Sequence, residues 1–443
     1  MGISTTTEGS NSDLSITNSG AISTRGVLSS GIYGYTGGRS SSLSITNSGS
    51  VSTKARSAHG IAGYTYGRYS ALTVNNSGDI ATNGLRSDGI NATTNGRNLQ
   101  LTVENSGEIT ATGAYSDGID TSAYGRNTET LIINSGDIAT TGLLTSGIIA
   151  SASNTNSPIT IRNSGHVHAN GAFGYGIVAQ TFASNSPIQI ENSGDVYGSS
   201  VGIFASGFTS TKIINSGLIS AGSDLAIDTE GASTTIFNSG LITGFVDLTD
   251  AADTFTNQSG GEFNASRTSD FGNGRDVFTN TAGATLRTAG RLANSEETKF
   301  VRLERFENEG LITMADGRTN DVFRISNTPG GTNLNFIGTG NSTLAIDAFL
   351  GGPGSTADNL IVEGNTGGRT RLQVFNTNHS AARFDPVGIP VVFVEGNVDA
   401  KDFYLEKPID AGFFEYDLFF KRTGSGFFEL KNHTGGGAHI LRT

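Results

Sequence analysis

The chain has 443 residues, 62 of them glycine and only 7 proline, with no cysteine and a formal net charge of −12. The acidic balance argues against nucleic acid as a partner, the lack of cysteine excludes disulfides and a thiol nucleophile, and no run of eighteen apolar residues offers a membrane-spanning helix. The chain opens Met1-Gly2-Ile3-Ser4 with no basic-then-apolar leader, so a secretory signal is expected to have been removed or never present.

From the N-terminus onward, one tripeptide recurs. Asn-Ser-Gly begins at Asn18, Asn47, Asn76, Asn105, Asn134, Asn163 and Asn192, always twenty-nine residues apart, then at Asn215 and Asn238 with the period cut to twenty-three. Two residues before each asparagine stands Ile or Val, from Ile16 to Ile236, and four residues after each stands another, from Ile22 to Ile242. A fixed period of this length marks one supersecondary unit stacked on copies of itself. In the unit beginning at Leu43, Leu43 and Ile45 alternate with Ser44 and Thr46, which is the period of a strand with one buried face. Asn47 shares their parity and is expected to point inward. Ser48-Gly49 supplies a tight turn, for which glycine is expected at positive φ. Val51 opens a second strand and Gly60-Ile61 a third. Three short strands cannot bury their apolar faces alone. The predicted fold is therefore all-β, a right-handed parallel β-helix (a β-solenoid) in which the nine asparagines form an internal ladder.

After Asn238 the pattern wears. Asn257, Asn280 and Asn308 keep the turn, but Phe255, Phe278 and Phe306 replace the Ile or Val two residues before, and twenty of the 25 phenylalanines lie from Phe245 onward. Rings bury more apolar area, so this end is expected to be the more stable. From about Asn341 the spacing is lost, which divides the chain into regular rungs (1–245), Phe-rich rungs (246–340) and a C-terminal cap (341–443).

Within the cap stand Ser355, Asp358, Leu360, Ile361, Val362 and Gly364, then Gly368, Thr370, Leu372, Val374 and Asn376, then Gly388, Ile389, Val391 and Val392, and finally Ala411-Gly412-Phe413-Phe414-Glu415-Tyr416-Asp417-Leu418. This order resembles the C-terminal end of pertactin-like autotransporter passenger domains. The resemblance implies type V secretion, display at the cell surface or release, and an autochaperone role for the cap. It also implies an outer-membrane barrel, and the alternating ten-residue strands of one are not found in this chain.

Several columns of residues are candidates for contact with a ligand. Arg39, Arg68, Arg97 and Arg126 each follow a glycine in four successive units, a stripe suited to sulfated or phosphorylated glycans. Tyr33, Tyr35, Tyr64, Tyr66 and Tyr124 lie in or just after the third strand and offer flat amphipathic surface. Solvated arginines and ordinary strand tyrosines are the plainer alternatives. Asp79, Glu108, Asp137, His166 and Asp195 occupy one position in five units. No cofactor is expected, because exposed charge ladders are ordinarily solvated; Ca²⁺ along that column, or a transition metal on His166 and His168, is the alternative. Asp88 and Asp117 form the nearest approach to a catalytic carboxylate pair, with Ser30, Ala58 and Ser146 read as their equivalents in other units, and there is no His-Glu-x-x-His. The reading that follows is a passenger acting as an adhesin toward host-cell or matrix glycans or proteins. A polysaccharide-degrading lyase or hydrolase and a self-associating structural module are the alternatives.

Overall fold

A computed structural model describes residues 2–288, 297–327, 334–380, 382–423 and 425–432; the last eleven residues assigned to the cap, 433–443, lie outside them. The chain forms two compact units, Met1–Ile236 with Leu248–Asp250, and Phe237–Asp247 with Ala251–Thr443. Both are parallel β-solenoids.

In the first unit each twenty-nine-residue turn contributes three strands, as in Leu43–Asn47, Val51–Thr53 and Ile61–Thr65. Successive turns pair in register, Leu43 on Leu72, Ile45 on Val74 and Asn47 on Asn76. The alternation of the sequence becomes the alternation of the wall, with Leu43, Ile45 and Asn47 sealed inside and Thr46 outside. Burying a polar amide among aliphatics costs a few kcal/mol unless it is hydrogen-bonded, and here both its N–H groups are used. Asn47 Nδ2 donates to Asn76 Oδ1 at 2.8 Å and to the Gly49 carbonyl at 2.8 Å. The same pair of bonds repeats at Asn18, Asn76, Asn105, Asn134, Asn163 and Asn192, with amide-to-amide distances of 2.7 to 2.9 Å.

The glycine of the tripeptide is required for a different reason from the one its turn suggests. Gly49, Gly78 and Gly107 do not have positive φ. They stack directly on one another, and a Cβ on Gly107 would lie 2.2 Å from the Gly78 carbonyl oxygen. Positive φ falls instead on larger residues at the two other corners of each turn: Ser40, Tyr69 and Asn98 at one, Ser57, Arg86 and Tyr115 at the other, all with φ of 52° to 62°. A left-handed backbone is disfavoured for such residues, and a hydroxyl holds it in place. Ser70 Oγ accepts the Ser41 N–H at 2.9 Å and donates to the Gly38 carbonyl at 3.1 Å, while Ser116 Oγ does the same for Ser87 and Gly84. The corners are thus ordered, stacked elements. The shortening to twenty-three residues removes three residues from each: the strands His166–Ala169, Tyr175–Thr181 and Ile188–Asn192 are followed by Asp195–Gly198, Val201–Gly207 and Thr211–Asn215, with the intervening gaps cut from five to two and from six to three.

The second unit has its own ladder. Asn238 donates to Asn257, Asn257 to Asn280 and Asn280 to Asn308 at 2.8 to 2.9 Å, and Asn308 then donates to Ser342 Oγ, which is bonded to Thr370 Oγ1. Beside it runs a stack of buried rings, Phe255, Phe278, Phe306 and Phe336 at centroid spacings of 5.1 to 5.2 Å, continued by Phe403 and Phe428. Parallel coiling extends past residue 341, with Thr343–Ala348 on Thr370–Asn376 and Asn359–Glu363 on Ile389–Val394. Only then does the sheet turn antiparallel, Ser425–Asn432 pairing with both Ile389–Val394 and Phe414–Thr423.

Replacing Asn105 by Ala leaves the Asn76 N–H and the Asn134 Oδ1 lone pair buried without their partners; a loss of about 1–3 kcal/mol is expected, read as a lowered urea midpoint. Gly107→Ala is expected to destabilise by a similar or larger amount through backbone displacement, and an unchanged midpoint in both would remove the ladder as the source of stability.

Candidate functional site

The strands Ile32–Thr36, Ile61–Thr65, Ile90–Thr94 and Ile119–Ala123 stack in register and bury their isoleucines. Their alternate residues face outward, one column reading Tyr33, Ala62, Asn91 and Asp120 and the next Tyr35, Tyr64, Thr93 and Ser122. Tyr33 lies 5.7 Å from Tyr64 and Tyr35 lies 5.6 Å from Tyr66, centroid to centroid, so the four rings predicted as a contact surface form two tilted pairs. Burial pushes the Tyr64 hydroxyl up to about 12, with the charges of Tyr33, Asp88 and Asp120 adding to the effect.

At the end of these strands the corner carries the arginines. The N–H of Ser40 donates to the Arg68 carbonyl, that of Tyr69 to Arg97 and that of Asn98 to Arg126, at 2.8 to 3.1 Å, which places the four arginines on successive turns at one corner. All four are exposed. The Arg39 guanidinium lies 5.3 Å from the Tyr69 ring centroid, within reach of a cation–π contact. Tyr124 is also exposed at this corner.

At the other end of the strands is a constellation only partly legible beforehand. The Gly60 N–H bonds to the Asp88 carbonyl and the Gly89 N–H to Asp117, so the residue equivalent to Asp88 in the preceding turn is His59, one place beyond Ala58. His59 Nδ1 is 3.1 Å from Asp88 Oδ2. Asn91 Nδ2 donates to Asp88 Oδ2 at 3.0 Å and to Asp120 Oδ2 at 3.1 Å, and Asp88 Oδ1 accepts the Asp117 N–H at 3.0 Å. Two carboxylates thus share one amide, one of them also meeting the imidazole, while the Asp117 carboxylate accepts the Ser146 N–H of the next turn. Burial first, and the Asp88 charge second, raise Asp120 to about 7, and the same two causes raise Asp117 well above the usual carboxylate range. Adding twenty-nine to His59 exposes the column in the sequence; Asp120, which stands in a different column, had no such signal.

The column of Asp79, Glu108, Asp137, His166 and Asp195 has a structural use. Asp79 Oδ1 accepts the Glu108 N–H and Asp137 Oδ1 the His166 N–H, each carboxylate meeting the amide of the next turn. His166 and His168 project on the same face, their ring centroids 6.0 Å apart. Gly198-Ser199-Ser200-Val201-Gly202 has the letters of a nucleophile elbow, but it joins two strands, whereas that motif requires a helix after the serine.

In the second unit the residues that carried the family resemblance pin loops. Asp358 is fully buried and accepts the N–H of Asp321 at 3.1 Å and of Asp347 at 2.7 Å; burial raises it to about 8 despite those bonds. Asp347 in turn accepts three successive amides, from Asp316, Gly317 and Arg318. Tyr416, also fully buried, donates to the Gly351 carbonyl.

This closed end matches a known family: the model described as Autochaperone Domain Type 1 covers residues 321–418. With the solenoid before it, this match supports an autotransporter passenger, which belongs to the cell surface or extracellular space. Among curated proteins the chain is similar to the autotransporter adhesin AIDA-I of Escherichia coli, with 36% identity over 84 residues, 19% of this chain and 6% of that protein. The chain thus matches only a small part of that relative's length.

A carboxyl group held at a raised value binds its proton more tightly in the folded than in the unfolded state, so the stability it favours is present at low pH and is lost as pH rises toward the folded value. Asp120 at about 7 and Asp358 at about 8 therefore predict that thermal stability falls between pH 5 and pH 8. Asp120→Asn is expected to flatten part of that slope, measured as melting temperature against pH; a profile rising with pH would contradict the assignment.

Proposed function

We propose that the chain is an adhesive passenger whose contact surface is the tyrosine face and the arginine corner of the first unit. The supporting observation is the in-register repetition of one exposed guanidinium on four successive turns, beside paired tyrosines. Turns of a parallel sheet rise by about 4.8 Å, so neighbouring guanidinium groups repel each other by only about 1 kcal/mol per pair in water and remain available to sulfate or phosphate groups, which they bind in a bidentate fork. Individually weak contacts on a regular array add through multivalency. The relative's name, an adhesin, agrees with this reading.

A second reading, cleavage of a polysaccharide, draws on the shared Asn91 contact of Asp88 and Asp120. A carboxyl whose hold on its proton is strengthened by burial, set close to a second carboxyl, is a pairing that general-acid hydrolysis of glycosides uses. Replacing Arg39, Arg68, Arg97 and Arg126 together by Ser is expected to lower binding to a sulfated-glycan array and to host cells at least tenfold. Unchanged binding would dismiss the arginine corner, and release of new reducing ends that disappears in Asp120→Asn would favour the enzyme.

The cap is proposed to fold first and to template the turns before it, on the support of the ring stack that runs from Phe336 into Phe403 and Phe428 of the cap and of the autochaperone match. A fragment of residues 237–443 is expected to resist protease alone; digestion as rapid as that of a 1–236 fragment would defeat the idea.

A further inference from the structure

We propose that His166, His168 and Asp195 form a binding site for a borderline divalent transition-metal ion such as Zn²⁺. The two histidines alternate with Val167 and Ala169 on the strand His166–Ala169, so burial of the latter pair turns both imidazoles to the same outer face. The adjoining strand Asp195–Gly198 places Asp195 directly opposite His166 and Tyr197 opposite His168. His166 Nδ1 and Asp195 Oδ2 are 2.9 Å apart, and one donor atom from each of the three residues lies within 4.8 Å of the other two.

Donor type selects the ion. Two imidazole nitrogens and one carboxylate oxygen suit Zn²⁺, Ni²⁺ or Cu²⁺, whereas Ca²⁺ takes six to eight oxygens. With bonds of about 2.1 Å, tetrahedral ligand atoms stand about 3.4 Å apart. The His166–Asp195 pair is already closer than that, and the remaining separations close by rotation of side chains that are not held in the core; the His166 side chain is 57% exposed. Asp137, whose carboxylate accepts the His166 N–H from the preceding turn, adds negative charge beside the site that a bound divalent cation would offset. Three protein donors leave one tetrahedral position open to water or to a donor from another molecule. The repeat already sets Asp195 in one column with His166, although the sequence reading places a transition metal on His166 and His168 alone; the register between turns brings the carboxylate to them.

Isothermal titration of the whole chain with Zn²⁺ tests the site. One ion per chain with micromolar affinity is expected, with Ca²⁺ at millimolar concentration failing to compete. His166→Ala with His168→Ala is expected to abolish that binding event, and Asp195→Asn to weaken it at least tenfold. Zn²⁺ is also expected to raise the melting temperature of the native chain and not that of the double variant, whose metal-free melting temperature reports whether it is folded. No binding by the native chain, or the same affinity and stoichiometry in a folded double variant, overturns the proposal.

Discussion

Everything regular in this protein depends on a hydrogen bond between the side-chain amides of asparagines one turn apart. A carboxamide inside an aliphatic core is tolerable only when its donors and acceptor are all answered. Here one N–H goes to the next asparagine and the other to the carbonyl two residues on. Geometry then dictates the rest of the tripeptide. The residue providing that carbonyl has to stack on its equivalent in the preceding turn with no room for a Cβ, so asparagine and glycine are parts of one device. Because the device is internal, it carries no recognition chemistry itself. Its effect on function is to hold the outward positions of successive turns in register.

That register turns sequence spacing into chemistry. Residues twenty-nine apart become neighbours, which gathers arginines at one corner, a histidine with aspartates on one strand end, and His166 against Asp195. The corners contribute as well. Their left-handed residues are held by serine hydroxyls that each make two bonds to the preceding turn, so the exposed side chains there are displayed from fixed backbone. In the second unit, rings replace the aliphatic filling and buried aspartates tie loops to the coil.

The fold was legible in the parity of Ile16, Asn18 and their repeats, since a single alternating period specifies both strand and inward face. The reason for glycine was not, because close approach between turns leaves no trace within one unit. The Gly-x-x-Ser spacing of Gly38 to Ser41 and Gly84 to Ser87 marks the corners, once the hydroxyl ladder is known. Past Asn341 the coil continues although its letters change: Ser342 and Thr370 take the ladder position with a shorter side chain and keep the hydrogen bond. Among the surface columns, the arginines were found by periodicity alone. The acidic cluster was half seen, because His59 was passed over for Ala58 and because Asp120 meets Asp88 only through Asn91.

Amide hydrogen exchange on Asn105→Ala, compared with the unaltered chain, tests the ladder most directly. Ser106 and Ser135 donate their amides to the carbonyls of Asn76 and Asn105, so a ladder that couples turns predicts faster exchange at residues 76–78, 105–107 and 134–136 together, fading within one further turn. Faster exchange at 105–107 alone, with its neighbours as protected as before, would show that each turn stands by itself and would contradict the ladder as the constraint on which the structure depends.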